Sequence, residues 1–302
     1  LNTNINIGHF DAGTTFDNET NPLTFRPDES FSSGRRVIFV VKVISSTGYF
    51  REDTVSPMIG WPDLLVWDHD GNTNSQHYIL SSLDWGRVPY EYYDYDNSEL
   101  ITLDDLLERH RTILFNNGNN SASPITANEL EMFADFLDNA TESDQRNLWF
   151  GGQYLADNPL ITDFLSEYCK TVHTVDSVAT MWGINVVGNE SDPIFSDLIL
   201  NVAFGSGGFG PQYHSGGCSI IDGTSNGYNA LLYNASAPDT VFCATRYDSG
   251  RYKTFFTEFS IPNLGETSST GNNRFEFIEA ILTWFGFDVR DIEENNDYTN
   301  LP

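Results

Sequence analysis

Asp68, His69 and Asp70 place a carboxyl on either side of an imidazole. That is a proton-transfer set: His69 as base, with Asp68 or Asp70 orienting the ring. The run continues Gly71-Asn72-Thr73-Asn74, so Asp68, Asp70 and Asn72 supply alternating acidic and amide oxygens, as in half of a calcium loop. A complete EF-hand loop has glycine sixth and a bidentate carboxylate twelfth, whereas here Gly71 is fourth and Ile79 is twelfth. The other reading is an Asx-rich turn that caps the next helix, with no ion.

Cys169-Lys170-Thr171-Val172-His173 spaces a thiol and an imidazole at i and i+4. On a helix these share a face and can pair as an activated nucleophile, although two core residues have the same spacing. Tyr213–Ser219 sets His214 beside Ser215, but geometry rather than neighbourhood defines a triad. The run Asn147–Leu155 has a different interest. It is an apolar strand ending at Gly151-Gly152, a tight turn at the edge where open α/β sheets bind ligands. A hydrolase of that architecture carries its nucleophile at such an elbow, and Gly152 has no side chain to attack with. Around it, Asp68, Asn116, Asn117, Gly152, Gln153 and Tyr154 form the expected crevice, rich in amides and suited to a polar small-molecule or polymer ligand. Tyr90-Glu91-Tyr92-Tyr93-Asp94-Tyr95 is either an aromatic platform or a half-buried strand whose alternate tyrosines pack.

These residues need a scaffold. Val37–Ile44 followed by Ser45-Ser46-Thr47-Gly48 is strand and hairpin chemistry, and residues 1–60 read as a β module or partial β-sandwich. From Pro62 strands alternate with amphipathic segments. Leu64–Trp67, Val88–Tyr93, Thr112–Phe115 and Leu148–Phe150 are strands, and the intervening helices run from about Asn74 to Trp85, over Leu103–His110 with Thr102 as N-cap, and from the capping box Thr126–Glu129. That alternation predicts a parallel sheet with right-handed crossovers. Ile161–Thr171 reads as helix, Trp182–Asn234 as largely loop, Thr240–Thr245 and Tyr252–Phe259 as an antiparallel pair joined through Asp248-Ser249-Gly250, and Arg274–Phe285 as a helix with Phe275, Ile278, Ile281, Leu282 and Phe285 buried. The expected domains are 1–60, an α/β domain over 61–290, and an acidic linker tail over 291–302.

Lys+Arg of 15 against Asp+Glu of 43 gives a net charge of -28, which repels phosphate backbones and anionic lipid. Nucleic acid is therefore not an expected partner, and no apolar run has the ~18–20 residues that membrane insertion by a helix needs. The chain opens on polar Leu1-Asn2-Thr3-Asn4 and reads as a mature or excised piece. Three cysteines are an odd count: Cys218 and Cys243 are placed to form one disulfide, leaving Cys169 as a buried thiol.

Leu64–Asp70 with its following helix, Thr112–Asn117, the Phe150-Gly151-Gly152-Gln153 turn and the closing Arg274–Phe287 helix resemble, in order and spacing over about residues 62–287, the class I glutamine-amidotransferase-like domains of large exported bacterial proteins. The resemblance implies a flavodoxin-like α/β fold and a secreted or cell-surface setting beside neighbouring domains of a larger protein. It also implies an elbow cysteine and a late histidine, where this chain has Gly152 and Ser260. The expectation is a degenerate site without cofactor, serving binding or support. The rival is a hydrolase of ester or amide bonds that uses the same crevice, with Cys169 or a serine from the long C-terminal loop as nucleophile.

Overall fold

Leu64–Asp68, Thr112–Asn116 and Arg146–Gly151 are buried at every position, which is why they read as continuous apolar runs: a parallel strand is covered on both faces. A computed structural model describes residues 24, 34–55, 57–122, 124–176, 185–202, 216–221, 226–234, 241–266, 271–287 and 289. The chain divides into two compact units, 1–33 and 34–302, and every element named below lies in the second.

In chain order, β1 (Arg35–Arg36) pairs with β4 (Met58–Ile59), and between them β2 (Phe39–Ile44) and β3 (Phe50–Val55) make an exposed antiparallel hairpin. The second unit thus takes in the hairpin chemistry read from residues 1–60. Then come β5 (Leu64–Asp68), α1 (Gln76–Trp85), β6 (Tyr90–Asp94), α2 (Leu103–Arg109), β7 (Thr112–Asn116), α3 (Ala127–Asp138) and β8 (Arg146–Gly151). The helix α4 (Ile161–Phe164) runs into one π turn at Leu165–Cys169, and β9 (Thr171–Val175), β10 (Asn185–Gly188), β11 (Ile199–Asn201), β12 (Gly217–Ile220), β13 (Gly227–Asn234), β14 (Phe242–Asp248) and β15 (Tyr252–Thr257) follow. A 3₁₀ turn at Ile261–Asn263 and α5 (Arg274–Phe285) complete the described chain.

Nine strands form one mixed sheet in the order β11-β10-β13-β14-β15-β8-β7-β5-β6. The strands β6, β5, β7, β8 and β15 are mutually parallel, and counted among themselves in chain order they stand 2-1-3-4-5 across the sheet. Beyond β15 the pairing is antiparallel. Alternate side chains sort to the two faces. Leu64, Val66, Leu114, Trp149 and Phe255 pack under α1 and α5, while Leu65, Trp67, Ile113, Phe115, Leu148, Phe150 and Phe256 pack under α2, α3 and α4. Each fully buried Leu or Phe contributes about 1.5–3 kcal/mol.

Helix starts follow their caps. The Thr102 side chain accepts from Asp105 N, and Thr126/Glu129 and Asn273/Glu276 are complete capping boxes. The buried stripe of α5 includes Phe277, whereas Phe275 lies half-buried against Trp85 at 4.9 Å. Tyr93 is buried, and Tyr90, Tyr92 and Tyr95 are half-buried, alternating between the faces as in a packed strand.

Three expectations are corrected. Among the described residues within 182–234, the stretches of β10, β11, β12 and β13 are strand and not loop; their glycines and asparagines weaken local propensity, and cross-strand pairing overrides it. Cys169 and His173 do not share a helical face. The π turn ends at Cys169, Lys170 turns left-handed at φ 51, and His173 lies on β9. Cys218 and Cys243 are not bonded: all three cysteines are free and buried, with Cys218 in the core layer under α3 and Cys243 in the layer under α5. The expected linker at 291–302 lies outside the described residues.

Candidate functional site

Strand register aligns Asp94, Asp68, Asn116, Gly151 and Thr257 across the carboxyl edge of the parallel strands. The residue after each, Tyr95, His69, Asn117, Gly152 and Glu258, forms the rim. The sequence therefore delivers polar groups to the carboxyl edge of the parallel strands.

Donors of the protein itself fill most of that edge. Asp68 Oδ1 accepts from Asn116 Nδ2 and Oδ2 from the Tyr92 hydroxyl, each at 2.8 Å. Burial, helped by the charge of Asp70, raises the Asp68 carboxyl to about 7. Asp70 caps the following turn: Oδ1 accepts from Thr73 N at 3.0 Å, and Oδ2 from Ser75 N and Oγ at 2.6 and 2.7 Å. Gly71, Asn72 and Asn74 have φ of 69, 63 and 64, values that glycine and asparagine tolerate best. Asn72 Oδ1 accepts from Asn97 Nδ2 at 2.7 Å. The segment thus has the hydrogen bonds of an Asx turn, with oxygens of Asp68, Asp70 and Asn72 accepting from backbone and side-chain donors.

His69 is oriented by Glu129 and by neither aspartate. Its Nδ1 stands 2.9 Å from the Glu129 carboxylate, which also accepts from Trp67 Nε1 at 2.9 Å and from Thr126 N and Oγ1 at 2.9 and 2.8 Å. Burial works against a charged imidazole there, but the hydrogen bond and charge of Glu129 prevail and raise its pKa. The ring lies 4.5 Å from that of Tyr95 and is buried. Asn117 Nδ2 donates to Gln153 O at 2.7 Å, Gln153 Nε2 donates to Asn119 Oδ1, and Asn120 Nδ2 donates to His69 O at 3.1 Å. The structure thus brings Asp68, His69, Asp70, Asn116, Asn117 and Gln153 together in a hydrogen-bonded network, in which the buried Asn117 Oδ1 has no partner among the described residues.

The elbow is tight. Gly152 has φ 152, and a Cβ on it would fall 2.8 Å from Asn117 Cβ; at Gly151 a Cβ would fall 1.9 Å from Thr257 Oγ1. No helix follows at once: Gln153–Leu160 is a run of turns in which half-buried Tyr154 takes φ 64, and α4 begins only at Ile161. Ser260, at the late position, is buried and precedes the 3₁₀ turn. The thiols are unsuited to attack. Burial raises Cys169 to about 12 and puts Cys218 and Cys243 well above the ordinary thiol range.

His173 has partners that the sequence reading missed. Its Nδ1 is 3.0 Å from Glu258 Oε1, and its Nε2 is 3.2 Å from Asp176 Oδ1 and 3.6 Å from Asp157 Oδ1. The Glu258 bond leads in raising His173 to about 9, while burial raises Glu258 to about 7 against the pull of the imidazole. The only sequence signal for Glu258 is a carboxylate inside the apolar run Phe255–Phe259. His214 and Ser215 lie outside the described residues.

No family model and no curated protein matches the chain. Among solved structures it is similar to a carbohydrate deacetylase, Agd3, with 12% identity and a TM-score of 0.44 over 74% of this chain and 32% of that one. It is similar to a β-galactosidase from Rahnella sp. R3 at 9% and 0.43, over 75% and 31%. A glutamine amidotransferase from Thermotoga maritima matches at 9% and 0.40, over 66% and 76%. The chain thus spans about a third of the first two.

Proposed function

We propose that residues 61–290 form a flavodoxin-like domain of the class I glutamine-amidotransferase kind whose carboxyl edge does no acyl chemistry. It serves ligand binding or support of neighbouring domains in an exported, surface-associated protein. The 2-1-3-4-5 order of the parallel strands supports the architecture. The observation that carries the functional reading is the elbow, where Asn117 occupies the space a side chain on Gly152 would need. Acyl transfer needs a nucleophile beside a base at a position the substrate can reach.

The test is turnover by the purified protein of glutamine and of simple acyl esters, with fluorophosphonate and iodoacetamide labelling followed by peptide mapping. No turnover and no labelled residue in the native protein is expected. Sustained hydrolysis abolished by one crevice substitution would overturn the reading. The hydrolase alternative draws on one observation, the His173–Glu258 pair, an imidazole held by a buried carboxylate. Fluorophosphonate labelling of a serine within 203–215 would establish that alternative.

A further inference from the structure

Asp157 lies in the turns after β8, His173 within β9 and Asp176 just beyond it, and one ligand atom from each lies within 4.8 Å of the others. A tetrahedral ion bonded to nitrogen and oxygen at about 2.1 Å holds its ligand atoms about 3.4 Å apart. His173 Nε2 stands 3.2 Å from Asp176 Oδ1 and 3.6 Å from Asp157 Oδ1, one on each side of that separation.

The inner side of the ring supplies a second, independent observation. Histidines that ligate metals give their other ring nitrogen to a carboxylate, which fixes the tautomer and aims the ligating atom. Here Nδ1 is held at 3.0 Å by Glu258, whose side chain is 1% exposed just beyond β15. Gly216 closes that side, since a Cβ on it would fall 2.6 Å from Glu258 Oε2 and 3.1 Å from His173 Cε1. The ring therefore has one nitrogen turned into the protein and the other turned out, toward two carboxylates at the surface. One imidazole with two carboxylates suits a first-row transition ion better than the all-oxygen shells that calcium and magnesium favour.

We propose that Asp157, His173 and Asp176 bind a divalent transition-metal ion, with Zn²⁺ the best fit, in a surface site aimed by Glu258. Three protein ligands leave a coordination position for water or an anionic group of a ligand. The site does not depend on the elbow, because none of its three ligands belongs to that network, but it takes the same His173 Nε2 that the hydrolase alternative would use as base.

The untagged full chain, stripped with chelator, is titrated with Zn²⁺ by calorimetry and with Co²⁺ by visible absorption. One equivalent of Zn²⁺ with micromolar or tighter affinity is expected, together with a Co²⁺ spectrum of low coordination number and Ca²⁺ binding at least tenfold weaker. His173→Gln and Asp157→Asn should each lower Zn²⁺ affinity tenfold or more, and Glu258→Gln by about 10–100-fold. Asp176→Asn should do the same with an unchanged melting temperature, because that side chain is 94% exposed and its loss cannot act through the core. The proposal is overturned by the lack of saturable Zn²⁺ binding up to ~1 mM. It is equally overturned by an affinity that Asp157→Asn and Asp176→Asn leave unchanged, or by Ca²⁺ binding more tightly than Zn²⁺.

Discussion

At the scale of single residues, Asp68 shows how burial converts a surface chemistry into a stability term. Its folded carboxyl sits at about 7, against 3.8 for the free side chain. Between those values the folded state keeps a proton that the unfolded chain has lost. Asp68 therefore makes the protein less stable as pH rises from about 4 to about 7, by on the order of 2–4 kcal/mol in all. Asp68→Asn keeps an oxygen for one donor and removes the charge. Urea denaturation of variant and parent from pH 5 to 8 should show the variant gaining relative to the parent as pH rises, and a constant difference would contradict the assignment. The place of Asp68 and His69 at a strand end was legible, because the apolar run stops there. Their partners were not: Glu129 stands 60 residues from His69, and Glu258 stands 85 from His173.

At the scale of elements, Glu129 closes the capping box of α3 and also holds Trp67 and His69, so one buried carboxylate ties α3 to the end of β5. Glu129→Ala removes the acceptor from several buried donors at once, and each orphaned donor costs about 1–3 kcal/mol. A loss of 3 kcal/mol or more in urea denaturation is expected, with Glu129→Gln intermediate because it retains one oxygen. A loss under 1 kcal/mol from Glu129→Ala would mean that the cap alone matters. The capped helices α2, α3 and α5 were legible from Thr102, Thr126–Glu129 and the α5 apolar pattern. The π turn at Leu165–Cys169 was not, because its residues continue a helical pattern and only the left-handed Lys170 ends it. Nor were β10, β11 and β12, which are 3–4 residues long and stand by their cross-strand pairing, β10 with β11 and β13 and β12 with β9.

For the whole molecule, alternating strands and helices foretold the parallel half of the sheet, while its antiparallel extension was visible only as β14 and β15. The sheet brings five strand ends to one edge, and amides and carboxylates of the protein hydrogen-bond to one another there around a glycine elbow. The most direct test of the filled elbow is the unfolding free energy of Gly152→Ala and Gly152→Cys, measured beside their turnover of glutamine and acyl esters. With φ 152 and Asn117 2.8 Å from the new Cβ, each variant should lose about 1–3 kcal/mol, and the cysteine should confer no turnover. Parent-like stability of either variant would contradict the account, as would a hydrolytic activity of the parent that Gly152→Ala abolishes while the fold stays intact.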